Sequence, residues 1–123
     1  MIKRKEEQSI ERREHICNGI GSAQVRNLFE PNEMKGVRLF NHVTLEPGAT
    51  FGVHTHHDET EFYYILKGTL ETGEQSGCYE LHPGDVSCTG DGCFHDLKNI
   101  GDEPAELLTV IVGNGSVTLG TCE

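Results

Sequence analysis

The sequence predicts an all-β sandwich or barrel. From Val37 onward, short apolar segments alternate with turns rich in Gly and Pro at roughly even spacing, and no amphipathic helical pattern follows Glu14. The 15 glycines of the chain fall mainly at those turns, where their backbone freedom is useful. A chain of 123 residues suits one domain and can bury a core without help from disulfides.

Residues 1–35 are predicted to form an N-terminal arm or edge strand that packs on the barrel or on a partner subunit. Within them, residues 3–14 are mostly charged or polar, which indicates a short surface helix or a loose arm. A strand is expected near 23–29. The preceding "GIGSA" lacks the third glycine of a dinucleotide fingerprint, so it is interpreted as a flexible turn.

Residues 36–115 are predicted to form the barrel, and residues 116–123 a tail or a short last strand. The strand signals are segments of aromatic, β-branched or alternating residues bounded by turns. They are "VRLFNHVTLE", "EFYYIL", a hairpin of "TLET" and "GCYELH" around "GEQSG", "FHDLKN", "AELLTVIVG" and the weaker "SVTLG".

Charge and composition exclude several classes of function. The net charge of −10 argues against a nucleic-acid partner, because phosphate binding needs clusters of Lys and Arg. The N-terminus has no apolar segment of the secretory type, and no apolar run is long enough for a membrane helix. The 5 cysteines form no C-x-x-C pair and are interpreted as free thiols, so a cytoplasmic location without membrane contact is expected.

The segment "HTHHDETE" contains the side chains that divalent transition metals prefer. Side chains alternate along a strand, so His54 and His56 project to one side, and Glu61 and Tyr63 share a face of the next strand. The intervening residues 57–59 are expected to form a solvated turn. The alternative is that the whole segment is a solvated acidic loop.

A fourth ligand is predicted in "GCFHDLKN", where His95 begins a strand of the same barrel. Three neutral imidazoles and one carboxylate around a divalent ion leave a net charge of about +1. An octahedral ion would keep two positions open for water, substrate or dioxygen, which is typical of catalytic rather than structural sites. The metal could be Mn, Fe, Ni, Co or Zn, since sequence does not choose among them.

These residues resemble the cupin superfamily. The spacing of Gly48, His54, His56, Glu61 and Gly68 is similar to the first cupin motif at each fixed position. The second motif is matched by Gly84, Gly92, His95 and Asn99, with Gly90 standing where the family usually has proline. The resemblance covers about half of the chain.

The resemblance implies a small single-domain cupin with a double-stranded β-helix, or jelly-roll barrel. It implies a metal held by His54, His56, Glu61 and His95, and a homodimer, which many small cupins form by exchanging N-terminal strands. A cysteine next to the metal ligands, here Cys93, is a feature that resembles the thiol dioxygenases, but those cupins lack the glutamate found here at Glu61.

Other residues are candidates for contact with a small-molecule ligand. Tyr63 could donate a hydrogen bond beside the metal or simply pack in the core, His42 could act as a base, and Arg38 could hold a carboxylate. The expected function is a metal-dependent enzyme on a small oxygenated or sugar-like metabolite, of isomerase, lyase or dioxygenase type. The alternatives are a non-catalytic, metal-assisted module that binds a small molecule or sugar, and a storage-type barrel.

Overall fold

A computed structural model describes residues 1–117 of the chain, with side chains as far as residue 113. The predicted all-β, double-stranded β-helix architecture is confirmed. The only helical elements among the described residues are two single turns of 3-10 helix, at Lys5–Glu7 and Ile16–Asn18. The strands are β1 (Ser9–Glu14), β2 (Ser22–Phe29), β3 (Val37–Leu45), β4 (Thr50–Lys67), β5 (Leu70–Glu74), β6 (Gly77–Leu81), β7 (Val86–Thr89), β8 (Phe94–Asn99) and β9 (Ala105–Val117).

The long strand β4 is shared by two antiparallel sheets. One sheet has the order β1-β2-β3-β9-β4-β7, and the other has the order β4-β8-β5-β6. The first part of β4 pairs with β8, and the part from His56 onward pairs with β9. Because one strand runs through both sheets, their inner faces are joined beside its midpoint, and the site lies there.

The core follows from the period of two along each strand. On β3, Leu39, Asn41, Val43 and Leu45 are buried, whereas the residues between them are partly exposed. One apolar cluster combines side chains from both sheets, among them Val25, Val43, Phe51, Tyr63, Ile65, Leu70, Leu97 and Leu107. The barrel interior is therefore a packed core, and the buried titratable side chains of His54, His56, Glu59, Glu61 and His95 lie together on one side of it.

The prediction of a surface helix or loose arm over residues 3–14 is wrong for its second half, whereas Lys5–Glu7 forms a short exposed turn of 3-10 helix. Residues 9–14 form β1, an edge strand that pairs antiparallel with β2. Lys3 and Arg12 attach this segment to the body of the protein through ion pairs with Glu33 and Glu46. The homodimer stays a prediction. The short last strand expected at residues 116–123 lies, beyond Val117, outside the described residues.

The cysteines differ in state. Cys78, Cys88 and Cys93 are free thiols, as predicted. Buried Cys17 is disulfide-bonded, so the prediction of free thiols is wrong at that position. Among residues 1–117, no helix has the length and apolar character needed to span a membrane.

Candidate metal centre

Strand β4 carries most of the site and changes its inward-facing set at a β-bulge. Before the bulge His54 and His56 point inward, and after it Glu59, Glu61 and Tyr63 do. The pairing with β9 shifts between His57 and Glu59, and Asp58 between them has a left-handed φ of 58°. A bulge adds one unpaired residue, which moves the side chains that follow to the other face.

His54, His56, Glu61 and His95 come together as a buried group whose ligand atoms all lie within 4.8 Å of one another. The Nε2 atom of His95 is 2.9 Å from His54 Nε2 and 3.1 Å from His56 Nε2. The Oε1 atom of Glu61 is 2.9 Å from His95 Nε2, 3.0 Å from His56 Nε2 and 3.4 Å from His54 Nε2. Neighbouring ligands of an octahedral ion, each about 2.1 Å from it, are about 3.0 Å apart, so the separations fit one shared ion.

The outer nitrogen of each imidazole already has a partner, which is a second test of that fit. The Nδ1 atom of His54 is 2.7 Å from the Gly52 carbonyl oxygen, and that of His56 is 2.5 Å from Glu59 Oε2. Both partners only accept, so each Nδ1 carries the hydrogen and each Nε2 presents a lone pair to the centre. His95 Nδ1 lies 2.8 Å from the Thr89 hydroxyl, which can accept in the same way. The group can therefore hold a divalent metal through three Nε2 atoms and one carboxylate.

Electrostatics keep the carboxylate of the group ionised. Burial raises the pKa of Glu61, but in the metal-free protein the three histidines, which donate to it whenever an Nε2 carries a hydrogen, outweigh burial and hold that pKa well below its ordinary value. Burial lowers the pKa of His95, which favours the neutral ring that a metal needs. Burial also lowers the pKa of His56, but Glu61 and Glu59 more than compensate and the net direction is upward. Metal binding at His56 therefore competes with a proton.

A cavity opens beside the group, inside the barrel. It has a volume of about 30 Å³ and is lined by His54, Glu61, Tyr63, Asn41, Thr109 and Arg13 together with aliphatic and aromatic side chains. The Tyr63 hydroxyl is 3.3 Å from His95 Nε2, and the two rings stack with centroids 4.7 Å apart. Burial and the Glu61 charge raise the pKa of Tyr63 well above its ordinary value, so the phenol stays protonated.

Several predicted residues lie elsewhere. His42 is on the outer face of β3, where its Nε2 is 2.9 Å from Glu106 Oε1, and the structure does not bring it to the group. Arg38 is paired with Glu59 and is not a cavity-lining residue. Cys93 lies in the turn before β8, with its thiol against the Asp91 carbonyl oxygen.

The prediction of a solvated turn at residues 57–59 is wrong. These residues are part of continuous strand β4, and only His57 and Asp58 are exposed, whereas Glu59 is buried with 3% of its surface accessible. Sequence reasoning missed Glu59 and Asn41 as members of the site. The available signal for Asn41 was the alternation of apolar residues on β3, which puts it on the inner face with Leu39 and Val43.

Comparisons with known proteins bear on the family and the fold of the chain. The family model described as "Cupin domain" matches residues 41–111. An oxalate-binding protein of Thermotoga maritima is 33% identical over 91% of this chain and 93% of its own length. The crystal structure of a predicted oxalate decarboxylase from Thermotoga maritima has a TM-score of 0.85 and 32% identity, covering 93% of this chain and all of that one.

A sugar phosphate isomerase of Silicibacter pomeroyi has a TM-score of 0.72 and 26% identity over 90% of this chain and 77% of that one. A quercetin 2,3-dioxygenase of Escherichia coli is 32% identical over 59% of this chain, which corresponds to only 34% of the enzyme's length.

Proposed function

The chain belongs to the cupin family, and on that premise we propose that it binds a divalent transition metal, which in turn binds a small oxygen-donor anion. The ligands proposed are His54, His56, Glu61 and His95, and the metal is Mn, Fe, Ni, Co or Zn. The observation that supports this most directly is the set of partners on the outer imidazole nitrogens. It turns the Nε2 lone pairs of the three histidines toward one point next to an ionised carboxylate.

The size of the cavity favours a ligand of only a few heavy atoms. Its volume of about 30 Å³ is small, since one water needs about 10–15 Å³ measured in this way. A flavonol or a sugar phosphate would require the walls to move. A two-carbon or three-carbon acid requires much less adjustment.

The charge of the site favours an anion. A divalent ion with three neutral imidazoles and one carboxylate has a net charge of about +1. Arg13, which also contacts Glu11, lines the same cavity and adds a second positive charge to its wall. The name of the Thermotoga relative, an oxalate-binding protein, makes oxalate the first ligand to test. A bound metal would supply a Lewis-acidic point at which two carboxylate oxygens can be held together.

The residues of the chain would orient such a ligand. The protonated Tyr63 phenol can donate a hydrogen bond next to His95. Asn41 is buried, lines the cavity, and has a side-chain oxygen with no hydrogen-bond partner among the described residues. The Asn41 amide can donate from its Nδ2 to a carboxylate oxygen of such a ligand, whereas its unpartnered Oδ1 only accepts and suits a ligand that also carries a hydroxyl or protonated carboxyl group. The aliphatic lining excludes bulk water.

The test begins with elemental analysis of protein purified without chelators, followed by calorimetric titration of oxalate into the metal-loaded and metal-free forms. We expect about one metal per chain and oxalate binding to the loaded form alone, with acetate and succinate much weaker. Asn41→Leu should weaken oxalate binding while leaving the metal content unchanged. If the metal-loaded protein binds neither oxalate nor other small dicarboxylates, the proposed ligand is refuted but the proposed metal site is not. A protein that takes up no metal on reconstitution would refute both.

The second candidate function is catalysis on the bound acid, and the observation that favours it is the Tyr63 hydroxyl. It is a buried, protonated acid 3.3 Å from a proposed ligand atom, which is within reach of a bound substrate. Incubation of the loaded protein with oxalate, while carbon dioxide release and oxygen consumption are followed, separates the two candidates. Turnover that Tyr63→Phe abolishes without loss of metal would establish catalysis. If the oxalate is not consumed, the protein binds the acid without catalysing its conversion.

A further inference from the structure

Glu59 is a charged residue buried directly behind the proposed metal ligands. Its side chain has no accessible surface, and its Oε2 is 2.5 Å from His56 Nδ1, on the side of the ring away from the centre. Of the outer partners of the three histidines, Glu59 is the one with a full negative charge. The other two are the Gly52 carbonyl and the Thr89 hydroxyl.

Arg38 fixes the orientation of that carboxylate. Its Nε donates to Glu59 Oε1 at 2.9 Å, and its Nη2 donates to Glu59 Oε2 at 3.0 Å. This two-point contact holds the carboxylate plane and compensates its charge in the interior. The Arg38 side chain keeps 13% of its surface accessible, so the chain of contacts runs from the protein exterior through Glu59 to His56.

The backbone of the β4 bulge turns Glu59 inward. Asp58 takes the left-handed φ, and its backbone N–H donates to Asp91 Oδ1 at 2.8 Å. Opposite Glu59 on β9 stands Gly113, with φ +118°, where a Cβ would lie 2.6 Å from the Asp58 carbonyl oxygen. The backbone is thus specialised on both strands at the point where Glu59 enters the interior.

We propose that Glu59, held by Arg38, is a positioning residue of the metal centre that sets the strength of the His56–metal bond. The carboxylate fixes His56 in the Nδ1–H tautomer and makes its Nε2 a stronger donor, because the ring hydrogen is partly drawn toward a negative charge. Outer partners of this kind change metal affinity by about 10–100-fold. This inference rests on the proposed metal site, and it assigns to Glu59 and Arg38 a role in affinity that the four ligands alone do not determine.

The experiment measures the Zn²⁺ affinity by chelator competition and the visible spectrum of the Co²⁺ form in wild type and Glu59→Gln. The substitution keeps the shape of the side chain and removes its charge. We expect affinity to fall about tenfold or more, and the Co²⁺ bands to shift, because the donor strength of His56 changes. Thr89→Val removes a neutral partner from His95 and should cost less, since charge-assisted hydrogen bonds are about twice as strong as neutral ones.

Glu106→Gln is the matched control, because Glu106 makes the same kind of contact with His42 at 2.9 Å on the outer face. It should leave the affinity and the Co²⁺ spectrum unchanged. If Glu59→Gln does not fold, Arg38→Lys provides the test, since it keeps the charge but loses the two-point contact. A folded Glu59→Gln or Arg38→Lys variant with wild-type affinity and spectrum overturns the inference. Wild-type protein that binds no Zn²⁺ or Co²⁺ instead overturns the proposed function beneath it.

Discussion

Gly113→Ala should be one of the most damaging single-methyl additions in the chain. Gly113 has φ +118°, and an added Cβ would lie 2.6 Å from the Asp58 carbonyl oxygen and 3.0 Å from Glu59 Cα. Both are backbone atoms of the bulge, so neither can move without displacing the strand. The strained φ costs about 1–3 kcal/mol, and the overpacking costs about another 1–3 kcal/mol. For a chain of this size, we expect Tm to fall by about 8–24 °C, at about 4 °C per kcal/mol.

Gly48→Ala is the matched control, because Gly48 also has a positive φ, +78°, but nothing lies within 4 Å of an added Cβ. It should cost only the left-handed backbone penalty of about 1–2 kcal/mol, or about 4–8 °C. The assay is thermal unfolding of the metal-free proteins followed by circular dichroism. The reasoning is refuted if the two variants lose the same Tm, since the close approach of β9 to the bulge would then have no energetic consequence.

Three further predictions concern the site and its surroundings. His56→Ala should weaken metal binding by more than the tenfold typical of an outer partner, whereas His57→Ala, exposed on the same strand, should keep full metal content in elemental analysis. Gly90→Pro should fold with a Tm close to that of wild type, because Gly90 lies outside the positive-φ region and an added Cβ meets only Thr60 Oγ1 at 3.9 Å; an insoluble variant would contradict this. The third concerns pH. Burial raises the pKa of Glu61, but the three histidines lower that pKa well below 4.5. Ionised Glu61 therefore stabilises the metal-free protein above about pH 4.5, and this stabilisation is lost as the pH falls through the lowered pKa. Urea unfolding from about pH 7 to about pH 3 should therefore show a shallower acid loss in Glu61→Gln, and equal slopes would contradict the assignment.

Much of the fold and the ligand group followed from local patterns in the sequence. Period-two alternation identifies strands, and in any strand His54 and His56 must share a face, as must Glu61 and Tyr63. Turn residues then bound several of the strands after residue 36, but neither β1 nor β7 was located from the sequence, and β4 continues through the turn expected at residues 57–59. The fourth ligand was predictable because His95 begins an apolar strand that had to pack in the same barrel, where it stands opposite His54 in the pairing of β4 with β8.

Glu59 was not predictable by the same rule, and the reason is geometric. Uninterrupted alternation from His56 would turn Asp58 inward and Glu59 outward, and a turn between two strands would expose both. The single left-handed residue Asp58 instead keeps the strand continuous, and the side chains that follow it change to the other face. Aspartate tolerates that conformation better than most residues. The position of Gly113, which accommodates the bulge, becomes meaningful only after β9 is known to pair there.

The bulge also explains how one strand can serve both sheets of the barrel. His54 and His56 precede it, where β4 leaves its pairing with β8, and Glu61 follows it, where β4 pairs with β9 and β7. A regular strand would put Glu61 on the face opposite the two histidines, because it lies an odd number of positions along the chain from each of them. Convergence of the ligands therefore requires one extra residue between them. The same insertion turns Glu59 inward behind His56, so the geometry that assembles the metal ligands also creates the buried carboxylate that orients one of them.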